Sequence, residues 1–153
     1  MPRQKFFLAI LNILSLCLII GAVSIFIAGD GYWIGFVLIL LAALCLLSLI
    51  PFKIKIKSAQ PDILFGIIDN GILAILAIFG GHFGGVAGAI LGGVVGNAIT
   101  DGIAGVLEGY SAEKLRLQFV PEERTMLKSA VGKMAGCLFG AGIVLIIANL
   151  LKF

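Results

Sequence analysis

The sequence predicts an all-α integral membrane protein with five transmembrane helices, the last three forming a glycine-rich packed core. Three observations predict it. Hydrophobic residues make up 61% of the 153-residue chain and charged ones 12%, with a mean hydropathy of +1.19, which excludes an ordinary soluble domain. The apolar residues gather into five runs, each near the roughly 20 residues that cross a hydrocarbon core about 30 Å thick. These runs are continuous, without the short alternation of a membrane β-barrel. Finally, the basic residues sort to one side of the membrane. With the N-terminus inside, Lys152 alone falls outside, and the rest of the 11 Lys and Arg fall inside, as the positive-inside rule requires. The net charge of +3 thus reflects topology and does not point to nucleic acid.

The first run, 6–29, follows Arg3 and Lys5 and superficially matches a signal peptide. It is too long, lacks a small-x-small cleavage site, and meets the second run, 32–51, after only Asp30 and Gly31. The two are expected to form a retained hairpin within an N-terminal unit, 1–58. Leu and Ile dominate there, with Asn12 and small hydroxyls as the polar content, so this hairpin is expected to lie outside the core. Phe52-Lys53-Ile54-Lys55-Ile56-Lys57 alternates apolar and basic residues, a pattern suited either to anionic head groups or to a plain inside loop.

The remaining unit, 59–153, holds spans 62–81, 84–109 and 131–151. The outer turn Gly80-Gly81-His82-Phe83-Gly84-Gly85 carries the single histidine, read as solvated, with a pH sensor as the alternative. In the inner loop 111–130, Pro121 suits the first position of a helix, with Glu122 and Glu123 at its positive end. Cys17, Cys45 and Cys137 lie mid-span without metal-type spacing and are expected to be packing residues.

Small residues recur every fourth position in span four. One row reads Gly85, Ala89, Gly93, Asn97, Asp101, Gly105, Gly109, and another Gly84, Gly88, Gly92, Gly96; span five adds Gly132, Gly136 and Gly140. Such spacing lets helix backbones approach closely in lipid. Asn97 and Asp101 stand on the first row, so they are expected to face protein.

The acids carry the functional signal. Asp69 and Asn70 interrupt span three, and Asp101 with Asn97 interrupts span four. A charge near the bilayer centre costs on the order of 3 kcal/mol on insertion scales, so such residues usually face partners, water or ions. At 1.5 Å per residue, both aspartates fall roughly 10–13 Å from the inner ends of their spans. The oxygens of Asp69, Asn70, Asn97, Thr100 and Asp101 suit hard cations such as Ca2+, Mg2+ or Na+, while the thiolate or imidazole clusters that softer metals favour are missing. Glu108, near the inner mouth, is a candidate gate or a solvated residue. Against ion handling stands a structural role, in which the acid–amide pairs hydrogen-bond between helices and Lys133 neutralises Asp101 or Glu108. No P-loop, nucleophile elbow or metalloprotease helix is present, so the chain is not expected to be an enzyme.

Phe65-Gly66-Ile67-Ile68-Asp69-Asn70, Gly96-Asn97-Ala98-Ile99-Thr100-Asp101 with Ala104-Gly105 and Gly109-Tyr110, and Gly132-Lys133-Met134-Ala135-Gly136-Cys137 together resemble the transmembrane protein 65 family. The resemblance covers residues 62–151. It implies sodium-dependent calcium extrusion, with Asp69, Asn70, Asn97, Thr100 and Asp101 as cation-site positions. The family is known from the mitochondrial inner membrane. Two extra leading spans and no Arg-rich transit sequence point to a prokaryotic-type homologue, in a cell (inner) membrane with its N-terminus inside and C-terminus outside. The sequence expectation is therefore a membrane cation transporter of the sodium/calcium-exchange type in the lipid bilayer, expected to act as a homodimer, since a site near the dimer axis would gather four aspartates where one chain supplies two. A non-transporting scaffold or regulator of ion transport is the alternative, and a carrier of another divalent cation such as magnesium is a more distant one.

Overall fold

The computed structural model describes residues 3–27, 29, 31–117 and 126–152. Among them the chain is all helical: α1 (Arg3–Ile27), α2 (Ile34–Leu47), two short 3-10 turns (Ile50–Phe52 and Ile56–Ala59), α3 (Gln60–Leu117) and α4 (Met126–Leu150). Four helices are long and apolar enough to cross a membrane. The sequence led us to expect five. The difference lies in α3, a single 58-residue element that contains both expected spans three and four.

That element is not straight. Gly85 takes φ 57 and ψ −143, a conformation essentially confined to glycine. On either side the helix doubles back. A Cβ built on Gly88 would collide with the Gly80 carbonyl oxygen, one on Gly92 with the Leu76 carbonyl, and one on Gly96 would come within 2.9 Å of the Leu73 Cα. These pairs centre on residue 84, so α3 is two antiparallel arms, 60–84 and 86–117. Hydrogen-bonded helix runs up to the reversal on both sides, which is why one element appears where two were expected.

The glycines of α4 make the next seam. Cβ atoms on Gly136 and Gly140 would strike the Ile63 and Ile67 carbonyl oxygens, and one on Gly132 would lie 2.9 Å from the Asp62 Cβ. Residue numbers rise together across this seam, so the first arm runs parallel to α4. The opposite face of α4 meets α2, where a Cβ on Gly35 would lie 2.8 Å from the Gly142 carbonyl oxygen. α2 is thus part of the close-packed assembly, contrary to the expected outer hairpin. α1 is tied more lightly, through Ala9 and Leu16 in a cluster with Cys45, Leu49, Ala59, Leu127, Val131 and Ala135 and through Asn12 Nδ2, which donates to Ser48 Oγ at 3.2 Å.

These contacts sort the ends of the bundle. The α1 start, the 50–59 segment and the α4 start share one end. The other holds Gly85, Asn149 and the aromatic pair Tyr32–Trp33, with Asn149 Nδ2 donating to the Gly31 carbonyl at 2.9 Å. The outer surface is apolar: Leu18, Phe26, Leu40, Val86 and Leu150 are each more than two-thirds exposed, as suits contact with acyl chains. The three cysteines are free thiols.

Candidate functional site

Asp69 lies on the first arm of α3, sixteen residues before Gly85, and Thr100 on the second arm, fifteen residues after it. The hairpin register therefore sets them opposite each other, roughly 24 Å from the turn. Thr100 is buried, at 4% exposure, and its hydroxyl donates to Asp69 Oδ1. The Gly96 and Asn97 carbonyl oxygens are each 3.1 Å from the same hydroxyl. One proton serves three acceptors, and the carboxylate is the strongest because a charge-assisted bond outweighs a neutral one. Asn70 follows, half-buried, on the first arm.

Asn97 and Asp101 form a separate pair. Asn97 Nδ2 donates to Asp101 Oδ2 at 2.8 Å across one turn of the second arm, and both residues are exposed in the single chain. Within the single chain this departs from the expectation that they face protein. The buried face of the second arm is the other small-residue row, Gly88, Gly92 and Gly96, continuing into Thr100, whereas Gly85 and Gly93 have open space where a side chain would stand. The five predicted oxygen-bearing residues are thus divided: Asp69 and Thr100 between the arms, Asn97 and Asp101 on an outer face, and Asn70 half-buried on the first arm beside Asp69. Among the described residues, no three His, Cys, Asp or Glu side chains come together.

Glu108 is on α3, but its side chain lies outside the described residues, as do Pro121 and the expected helix start there. His82 is exposed beside the reversal, its ring edge-on to Phe83 at 5.2 Å. Lys133 Nζ sits 4.4 Å above the Phe65 ring.

One polar contact escaped the sequence reading. Asp62, only 3% exposed, accepts a hydrogen bond from Ser129 Oγ at 2.8 Å, fastening the first turn of α3 to the first turn of α4. The available signal was an acid just after Pro61 at a helix start, where the macrodipole favours negative charge.

No protein-family model, curated protein or solved structure matches the chain.

Proposed function

We propose that this protein is a multi-pass membrane carrier that exchanges hard cations, calcium against sodium, using the oxygens of Asp69, Asn70, Asn97, Thr100 and Asp101. The two arms of α3 cross the membrane separately in this reading, giving five crossings with the N-terminus inside. The observation that supports it most is the Asp69 carboxylate, placed between two apolar arms and met there by a hydroxyl. An acid at that depth is by default functional.

The hydroxyl gives the site two settings. With Asp69 free of cation, Thr100 donates its proton to the carboxylate. When a cation takes the Asp69 oxygens, the proton turns to the carbonyl of Gly96 or Asn97, both at 3.1 Å, and a Thr100 lone pair faces the ion. Calcium needs six to eight oxygens, more than Asp69, Asn70 and Thr100 supply alone. A second copy packed on the exposed face would double the contribution of Asn97 and Asp101 and remove that carboxylate from lipid. Calcium and sodium compete for the same charges, and this competition couples their movements.

A scaffold is the second reading, favoured by the fact that Asp69 and Asp101 each already accept a side-chain hydrogen bond. Such bonds in membranes are worth roughly 0.6–2 kcal/mol. A magnesium carrier is more remote. Calcium flux into proteoliposomes, with and without a sodium gradient, separates these readings for the wild type, Asp69→Asn and Asp101→Asn. Sodium-driven flux that both substitutions abolish in intact protein supports exchange. Absent flux in the wild type, with variants that come apart in detergent, supports the scaffold.

A further inference from the structure

We propose that the segment joining α2 to α3 is a binding site for the phosphate of anionic lipid head groups, held by Lys53, Lys55 and Lys57. All three lysines are exposed, and none has an ion-pair partner among the described residues. They recur at every second position, so neighbouring ammonium groups spring from backbone points at most about 7 Å apart.

The platform beneath them is built. The Phe52 N–H donates to the Leu49 carbonyl at 3.1 Å, that of Lys53 to Ile50 at 2.9 Å and that of Ile54 to Leu49 at 3.3 Å. Ser58 Oγ donates to the Lys55 carbonyl at 2.7 Å. Phe52 and Ile54 pack against the buried cluster of Leu49, Ala59 and Leu127, so Lys53 between them is turned outward, and Lys55 and Lys57 are exposed beyond it. Lys53 also holds φ 56 and ψ 28, in the left-handed region, where it ends the first 3-10 turn. Glycine is the inexpensive residue for that position.

Apolar neighbours choose the source of the phosphate. Ile50 is 58% and Ile56 39% exposed on the same segment, a pairing of apolar anchors with ammonium groups that suits the boundary between acyl chains and head groups. A free phosphate ion has no use for the isoleucines. The far end of the bundle carries Tyr32 and Trp33, 61% and 56% exposed, the aromatic residues that favour a membrane interface. Between them α4 runs 25 residues, about 37 Å, which places the lysines at head-group level when the aromatic pair lies at the opposite interface.

The test titrates the full chain, purified in uncharged detergent, with short-chain phosphatidylglycerol and with short-chain phosphatidylcholine. Phosphatidylglycerol, the anionic lipid of the two, is expected to bind more tightly. The triple variant K53Q/K55Q/K57Q is expected to lose on the order of 100-fold in its affinity, from roughly fivefold per lysine near an anionic surface. K152Q, at the other end, is expected to bind as the wild type does. Equal binding of the two lipids, or wild-type affinity in the triple variant, overturns the proposal. So does displacement of the lipid by inorganic phosphate at matching concentrations, which would make the ligand a soluble anion. Should the glutamine variant misfold, K53R/K55R/K57R and a sodium chloride series on the wild type decide: retained binding in the first and weakening in the second support the site, and the reverse of either overturns it.

Discussion

Gly92 and Gly93 are neighbours in sequence with opposite surroundings, and replacing each by alanine tests the described rotation of the second arm. A Cβ on Gly92 would collide with the Leu76 carbonyl oxygen and stand 2.7 Å from its carbon and 3.1 Å from the Ala77 nitrogen. Every one of these atoms is main chain, so no rotamer change relieves the clash and the arms must part. Gly93 has nothing within 4 Å. Both substitutions gain about 1 kcal/mol of helix propensity, and this term cancels between them. Overpacking costs about 1–3 kcal/mol and applies to Gly92→Ala alone. The two variants should therefore differ by about 1–3 kcal/mol, with Gly93→Ala at or above the wild type. Denaturant unfolding of the monomeric protein in detergent, followed by circular dichroism, measures that gap. Equal midpoints, or a lower one for Gly93→Ala, would refute the assignment of the inward face.

Two further substitutions probe the polar contacts. Thr100→Val keeps the branched shape and removes the donor to Asp69; cation flux should drop by about tenfold, the equivalent of about 1.4 kcal/mol, while unfolding shifts by no more than about 1.7 kcal/mol, and unchanged flux would remove Thr100 from the cation site. Ser129→Ala strips a donor from buried Asp62, a loss of about 1–3 kcal/mol. Because Asp62 has further interactions, the lower half of that range is expected in the same unfolding assay, and no shift would show that the Ser129 bond adds nothing.

Much of this architecture was legible in particular residues. The chain reversal falls within Gly80–Gly85 because a positive φ with extended ψ needs glycine, and glycines mark the place. The row Gly132, Gly136, Gly140 named its own packing face because span five offers no rival row. Span four offered two rows of similar spacing, and its sequence could not rank them. Neighbouring helical positions differ by about 100° of rotation, so the choice depends on the partner backbone. Asn97 and Asp101 made the wrong row attractive, since polar residues were expected to turn inward. Asp69 and Thr100 came together through the hairpin register, whose centre at residue 84 is a property of two arms at once. Gly35, the small residue through which α2 reaches α4, was hidden in a Leu- and Ile-rich run.

The seam between the first arm and α4 has a mechanical consequence. Knobs and holes interlock like gear teeth, and shifting one helix past another then forces every side chain through a new rotamer. Here the middle of the seam is bare main chain, with Gly136 and Gly140 meeting the carbonyls of Ile63 and Ile67. Such a joint resists being pulled apart, since dispersion acts across the shortest approach the chain permits, but it has few teeth along its axis. It is a bearing with a smooth middle and a latch at one end, where Ser129 holds Asp62.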